Sequence, residues 1–245
     1  MILRRLLMLV CSAVLLAVAG CGGGGSNTTL PPDPQVMFVN VSPDSDPLDF
    51  LFDDDLLAKD VSYLTPPAAF RSYTPGDRDC TVIVNSEDPN SEALWSEAIG
   101  LNRDESYIVC SFGLQNFGDE YLKRLRIAIL RTDRTSPNNS ARIVIFHAYN
   151  RKSGFDTPTI DFQNPGQNPR YKQEGIVFGN RVELTVDAGT YTFVARRTST
   201  EFEITPQVTK TFESGKIYLA VVSGVEDEVG AKAPQITFFE IPTKS

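Results

Sequence analysis

Cys21 is the residue whose surroundings point most clearly to a chemical reaction. The chain opens with two arginines and an apolar run over residues 6–19, which is too short to be a permanent membrane-spanning helix. The small residues Ala19 and Gly20 then precede Cys21. This order is typical of a bacterial lipoprotein signal, in which a peptidase cleaves before a cysteine whose sulfur carries the lipid. We predict a signal peptide over residues 1–20 and lipidation of Cys21, with a plain secretory signal as the alternative.

The residues after Cys21 predict a tether and a destination. Four glycines follow at residues 22–25 and prolines continue to Pro34, so residues 21–34 are expected to form a flexible, lipidated spacer. Gly22 stands where an aspartate would signal retention in the inner membrane of enteric-type bacteria. We therefore expect the lipid on Cys21 to attach the protein to the cell envelope, at the outer membrane.

Cys80 and Cys110 are the two cysteines that remain in the exported chain beyond the tether. Exported proteins meet an oxidising compartment, where a pair of thiols usually forms a disulfide. We predict a disulfide between Cys80 and Cys110, with two separately buried thiols as the alternative. A metal site is not expected here, because no histidine lies near either cysteine in the sequence.

His147 is the only histidine of the chain. A general base needs a partner that orients it, and no such partner lies nearby in the sequence. We predict that its ring forms hydrogen bonds with the backbone of a neighbouring loop and fixes a turn. The chain also lacks a Gly-x-Ser-x-Gly nucleophile motif and a phosphate-binding glycine loop. No catalytic residue, metal or cofactor is predicted, and the protein is expected not to be an enzyme.

Acidic residues cluster near the start of the predicted domain. Asp44, Asp46 and Asp49 precede the run Asp53–Asp55, and carboxylates of this kind can ligate calcium. Their spacing lacks the central glycine and distal glutamate of an EF-hand loop. Aspartate also favours turns through its own hydrogen bonds to the backbone. We interpret these residues as turn residues and keep a calcium site as the alternative.

Aromatic residues make up 10% of the chain, chiefly at alternating positions of predicted strands. In β-sandwiches such residues usually form the core, although an exposed row can stack on sugar rings. Trp95, the single tryptophan, would be the natural stacking platform. Its position between Leu94 and Ala98 suits packing equally well.

The charge of the chain argues against nucleic acid as a partner. The chain has 23 basic and 31 acidic side chains, and the predicted signal peptide contains two of the basic ones. The mature chain therefore has 21 against 31, a net charge of about −10. Proteins that bind nucleic acid carry basic patches instead.

The elements that must position these residues are strands. Short β-rich runs alternate with turns rich in Pro, Asp, Asn and Gly, and no long amphipathic helix is evident. An internal repeat pairs Asn40 with His147, Cys80 with Tyr191 and Tyr107 with Tyr218, at offsets of 107 to 111 residues. Residues 91–99 contain good helix formers, but their counterpart is rich in β-branched residues, so we predict a strand there.

The repeat predicts an all-β protein made of two tandem Ig-like antiparallel β-sandwich domains. The first module spans residues 35–133, a polar linker spans residues 134–140, and the second module spans residues 141–245. Each module has a full set of strands, so we expect each one to have its own core and to fold alone.

Several runs resemble a known bacterial family, domain of unknown function 4397. Phe38–Asp44 is similar to the family's first strand with its Ser-Pro-Asp ending, and Pro47–Phe50 is similar to the Pro-x-Val-Asp-Val motif that follows. Val61–Tyr63 and Val186–Tyr191 resemble the later tyrosine and the Gly-Thr-Tyr turn. The resemblance covers roughly residues 36–241, and it implies exported or lipid-anchored tandem β-sandwiches. The family has no assigned catalytic residues.

The second module departs from this pattern by a longer insert around Asn164–Gly166. The function that we expect is that of a non-enzymatic cell-envelope lipoprotein, an interaction or structural module that binds an envelope protein or a glycan. One alternative is a carbohydrate-active protein, either a sugar-binding module or a glycoside hydrolase. Another is a calcium-dependent adhesin.

Overall fold

The protein is all-β. The computed structural model describes residues 30–84, 87–88, 91–116, 124–152, 157–200 and 202–244. Within these ranges no helix is long and apolar enough to cross a membrane. The strands are β1 Gln35–Asn40, β2 Leu48–Phe52, β3 Asp55–Val61, β4 Arg71–Ser72, β5 Gly76–Ile83, β6 Trp95–Leu101, β7 Ser106–Phe112, β8 Arg126–Arg131, β9 Ser140–His147, β10 Ile160–Gln163, β11 Lys172–Ile176, β12 Arg181–Asp187, β13 Gly189–Arg197, β14 Val208–Phe212, β15 Ile217–Ser223 and β16 Gln235–Ile241.

The strands form two β-sandwiches with the same topology. The first contains the sheets β4-β1-β7-β8 and β3-β2-β5-β6, and the second contains β12-β9-β15-β16 and β11-β10-β13-β14. Adding eight to each strand number converts one sandwich into the other. The sheets are not purely antiparallel as expected, because β1 pairs with β7 and β9 with β15 in parallel. The other pairs of named strands are antiparallel.

Strand register confirms part of the predicted repeat and corrects another part. Asn40 pairs with Ser111, and His147 pairs with Val222 at the equivalent place. The alignment of Cys80 with Tyr191 is wrong by two residues. Gly76 and Gly189 each begin a strand at positive φ and pair with the last residue of the next strand. This equivalence makes Phe193 the counterpart of Cys80.

The segment around Trp95 is a strand, as the repeat predicted. Strand β6 runs antiparallel to β5, with Trp95 opposite Val82 and Ile99 opposite Arg78. Ile99 is buried while Glu97 and Ala98 are exposed. Pairing with β5 and burial of one face outweigh the local helix propensity of these residues.

A third apolar cluster lies between the two sandwiches, in addition to one cluster inside each. Strands β7 and β15 are buried along their whole length, because each has apolar neighbours on both faces of its sheet. Residues 31–245 accordingly form one compact unit. The expectation of two self-contained cores is therefore incomplete. The third cluster includes Met37, Val39, Ile108 and Cys110 of the first sandwich and Val144, Phe146, Leu219 and Val221 of the second.

The predicted linker begins with a buried arginine rather than a loose spacer. The Arg134 guanidinium donates through Nε to the carbonyl of Pro242 at 2.6 Å and through Nη1 to the side chain of Gln35. It also lies over the Phe70 ring, 4.0 Å from its centroid. Arg134 thus ties the start of the linker to both sandwiches.

Candidate functional site

The predicted lipidation site lies outside the described residues. Cys21 and most of the predicted tether precede residue 30, where the described part of the chain begins. Lipidation of Cys21 stays a prediction.

The predicted disulfide between Cys80 and Cys110 is not formed. Both cysteines are free and buried. Cys80 packs in the core of the first sandwich, whereas Cys110 packs in the cluster between the two sandwiches. The two side chains therefore belong to different apolar layers. Burial raises the pKa of the Cys80 thiol to about 12 and raises that of Cys110 as well, so neither thiol is an accessible nucleophile.

His147 fixes the turn after β9, as predicted. Its Nδ1 accepts a hydrogen bond from the backbone N–H of Tyr149 at 3.3 Å, so Nε2 carries the proton and donates to the carbonyl of Pro158 at 2.9 Å. Burial lowers the pKa of the imidazole to about 4. The ring is neutral and committed to the backbone on both sides.

Asn40, the counterpart of His147, makes the same type of contacts in the first sandwich. Its Oδ1 accepts from the backbone N–H of Ser42 at 3.0 Å, and its Nδ2 donates to the carbonyl of Val61 at 3.0 Å. Each side chain thus accepts from the residue two positions ahead and donates to a more distant carbonyl. This shared arrangement explains why a histidine stands in the second copy without an acid–base role.

The acidic residues near the start of the domain hold turns together. Asp44 accepts hydrogen bonds from the backbone N–H groups of Gln115 at 2.8 Å and Asn116 at 3.0 Å. Asp53 accepts from the backbone N–H of Asp79 at 3.1 Å and pairs with Arg78. These contacts agree with their interpretation as turn residues. Among the described residues, no group of three His, Cys, Asp or Glu side chains is placed to hold a metal ion.

Asp49 and its counterpart Asp161 each stabilise a β-bulge. The backbone N–H of Asp60 donates to Asp49 at 2.7 Å, and that of Gly175 donates to Asp161 at 2.9 Å. Both donor residues have positive φ and lie where the register between two strands shifts. The aspartate of the Pro-x-Val-Asp-like motif is therefore structural in both sandwiches.

Most of the described aromatic side chains pack in the cores, and those described form no exposed row. Trp95 packs against the core of the first sandwich, and its Nε1 donates to Glu97 at 3.4 Å. Phe202 is the most exposed aromatic residue among those described, at 60%, and the Arg197 guanidinium lies 5.5 Å from its ring centroid. The described aromatic residues therefore do not form a platform that could stack on sugar rings.

A polar groove lies on the outer face of the second sandwich instead. It has a volume of about 470 Å³ and follows the sheet β11-β10-β13. Its lining residues share polar or small side chains: Asp161, Gln163, Gly166, Gln167, Pro169, Lys172, Glu174, Gly175, Arg196, Thr198, Ser199 and Thr200.

The floor of this groove contains an amide without a partner. Gln163 follows Phe162, which points into the core, so its side chain points to the outer face of the sheet. Gln163 is only 4% exposed, and its side-chain amide forms no hydrogen bond with another described residue. Its nitrogen and oxygen are not among the fully buried polar atoms that lack a partner, so both are open to water in the groove. A group that completes the hydrogen bonds of Gln163 would have to enter from the groove.

The insert between β10 and β11 forms one wall of the groove. Asn164 closes its base, since Asn164 accepts from the backbone N–H of Tyr171 at 3.1 Å and donates to the carbonyl of Thr192 at 2.7 Å. The Tyr171 hydroxyl in turn donates to Asp187 at 3.1 Å. The loop is therefore held in place without a ligand.

The turn after β13 forms the opposite wall. The Thr198 hydroxyl donates to Asp161 at 2.8 Å, and the Thr200 hydroxyl donates to the carbonyl of Arg197 at 2.9 Å. Ser199 lies between them at a φ of 62°. These bonds tie the wall to the floor, because Asp161 also holds the bulge at Gly175.

The described residues of the first sandwich form no such groove lining at the equivalent place. Leu51 pairs with Leu56 where Gln163 pairs with Lys172. Strands β2 and β3 are joined by the two-residue turn Asp53–Asp54, whereas residues 164–171 join β10 and β11. Because the first copy folds with leucines and a short turn, the fold itself does not require the polar floor and the insert.

The groove residues were not predicted from the sequence, although a signal for them existed. The insert around Asn164–Gly166 is a departure from the pattern of domain of unknown function 4397, and comparison of the two copies places Gln163 at the position of Leu51. The chain matches no family model and no curated protein. Its resemblance to domain of unknown function 4397 stays a prediction.

Proposed function

We propose that this protein is a non-enzymatic lipoprotein of the cell envelope that binds an envelope component in the groove of its second sandwich. The lipid on Cys21 would hold it at the outer membrane, and residues 21–34 would act as the spacer. The two sandwiches would form the binding head.

The Gln163 amide, which faces the groove and forms no hydrogen bond within the described part of the chain, is the observation that carries this proposal. The amide nitrogen and oxygen are open to the groove, where water can complete their hydrogen bonds. The first sandwich has Leu51 at the same position, which cannot form such bonds. A ligand with polar groups could replace this water at Gln163 and bond to the amide directly.

Binding rather than catalysis fits the state of the reactive side chains. His147 uses both ring nitrogens for backbone contacts, and its neutral form is favoured by burial. Cys80 and Cys110 are buried with raised thiol pKa values. Asp161 is engaged with Gly175 and Thr198. The groove residues can hold a ligand in place, and these groups are not poised to attack one.

A co-sedimentation experiment tests the binding proposal. The full chain, purified in detergent, is mixed with fragmented cell envelope, and the bound fraction is compared with that of Gln163→Leu. We expect Gln163→Leu to weaken binding at least tenfold while it folds normally, because Leu51 shows that the sheet accepts leucine there. Gln173→Leu, on the neighbouring strand β11 and outside the groove lining, is the matched control and should bind as the unchanged protein does. Equal binding by all three proteins, or no binding by any, would contradict the proposal.

A second experiment tests the anchor separately. Replacement of Cys21 by serine should remove fatty-acid labelling and release the protein from membranes. Retention of Cys21→Ser in the membrane fraction would show that attachment does not depend on a lipid.

A further inference from the structure

We propose that the ligand of this groove is an uncharged glycan segment, bound through hydrogen bonds to its hydroxyl groups. This inference rests on the proposed binding function and names the ligand class of the same site. Three properties of the groove lead to it: compensated charge, the geometry of its polar groups, and the absence of aromatic and large apolar side chains among the described residues that line it.

The charges in the groove are paired with one another. Lys172 lies 3.7 Å from a carboxylate oxygen of Asp161 and also pairs with Glu174. Arg196 pairs with Glu203 at 2.8 Å. The lining itself contributes two acidic and two basic side chains, which sum to no net charge. A polyanion or a cationic peptide would have to displace these pairs, whereas a neutral ligand leaves them intact.

The polar groups of the floor and rim match the hydroxyl groups of a sugar. The Gln163 amide offers one acceptor oxygen and two N–H donors in one plane, which suits a pair of adjacent hydroxyl groups. The hydroxyls of Ser199 and Thr200 line the rim beside it. A hydroxyl group both donates and accepts, so a sugar can bond to both ends of the amide and to Ser199 on the rim. The Thr200 hydroxyl is already engaged with the carbonyl of Arg197 and the backbone N–H of Phe202.

The size and lining of the groove argue against lipids and apolar peptides as ligands. About 470 Å³ lies within the range of small-ligand sites, roughly 300–1,000 Å³. Pro169 is the main apolar contact among the described lining residues, and none of them is aromatic. Lipid tails and apolar peptide side chains would find little surface to bury. The ligand must therefore be held by polar contacts.

Chemical treatment of the envelope separates a glycan from a peptide. One sample of fragmented envelope is digested with proteinase K and another is oxidised with periodate, which cleaves the vicinal diols of sugars, and both reagents are removed before the full chain is added. We expect binding to persist after proteinase K and to fall at least tenfold after periodate. Binding to the proteinase-treated sample should remain sensitive to Gln163→Leu and insensitive to Gln173→Leu.

Salt dependence tests the absence of charge on the ligand. Contacts with a charged polymer weaken strongly as salt is raised, because exposed charges are screened. We expect less than a twofold change between about 0.05 and 0.5 M sodium chloride. Binding that survives periodate would overturn the glycan assignment, and so would a tenfold loss in high salt. In either case Gln163-dependent binding would still support the proposed function, whereas the loss of all binding to untreated envelope would refute both.

Discussion

The Tyr63 hydroxyl of the first sandwich lies 2.9 Å from the Ser223 hydroxyl oxygen of the second. Ser223 ends the fully buried strand β15, and burial raises the pKa of the Tyr63 hydroxyl. This contact lies at the edge of the apolar cluster that the two sandwiches share. It shows that the two sandwiches pack directly against each other.

The shared cluster predicts cooperative unfolding of the whole head. Separation of the halves would expose apolar faces of β7 and β15, at a cost of about 25 cal/mol for each Å² of apolar surface. We expect one urea unfolding transition, seen alike by circular dichroism and by tryptophan fluorescence, although Trp95 reports only on the first sandwich. The separate segments 35–133 and 140–245 should be unfolded or aggregated. Two resolved transitions, or two segments that are each stably folded, would show that each sandwich folds independently, as the sequence predicts.

Gly179→Ala should disrupt the contact between the sandwiches. A Cβ at Gly179 would lie 2.8 Å from two ring atoms of Phe112, and Gly179 has a φ of 78°. Left-handed strain costs about 1–2 kcal/mol and overpacking about 1–3 kcal/mol more. Gly230→Ala is the control, with a φ of 66° and open space around its Cβ. Denaturant titration should therefore show a larger loss for Gly179→Ala. Equal losses would mean that the Phe112 contact is unimportant.

His147 should make stability depend on pH. Its folded-state pKa of about 4 lies below its ordinary value of 6.5 because the ring is buried. Between these values the unfolded chain binds a proton that the folded protein does not, so acid favours unfolding. The buried, neutral imidazole contributes fully to the free energy of unfolding above pH 6.5. As the pH falls from 6.5 to 4, this free energy decreases by about 3 kcal/mol.

His147→Asn isolates this effect, since it carries the side chain found at Asn40 and cannot titrate. Carboxylates titrate in both proteins, so the difference between their unfolding free energies reports on the imidazole. That difference should shrink steadily between pH 6.5 and 4. Parallel stability curves would show that the ring is protonated in the folded state as well.

Cys80 and Cys110 should behave as two free, inaccessible thiols. Unreduced protein should resist iodoacetamide when folded and be alkylated at both positions after denaturation, as read by peptide mass spectrometry. Reducing agent should leave the melting temperature unchanged, because no bond between the two layers is broken. Recovery of a peptide pair linked through Cys80 and Cys110 would contradict the structure.

The strands and the repeat could be predicted because alternation and turn residues are local signals. The parallel pairing of β1 with β7 could not, since it depends on contacts between distant segments. The run Tyr107–Phe112, apolar except for Ser111, is itself a sign of burial on both faces of a sheet. A strand prediction alone does not say what covers its second face, and the second sandwich covers it here.

The groove could not be predicted from the sequence, for a different reason. Gln163, Lys172 and Arg196 lie on three strands, and each resembles an ordinary solvent-facing residue when considered alone. The insert covers the floor and buries Gln163, and this happens only in the folded chain. The predicted repeat aligns β5 with β13, but two residues out of register, with Cys80 opposite Tyr191 instead of Phe193.

Hydrogen–deuterium exchange tests most directly whether the groove is the binding site. The full chain is labelled in detergent with and without fragmented envelope. We predict slower exchange upon binding in residues 160–176 and 196–200, which form the floor and both walls, and no change in the equivalent residues 48–61 of the first sandwich. The protection should vanish in Gln163→Leu. Protection confined to the first sandwich, or identical protection in Gln163→Leu, would contradict the assignment of the groove.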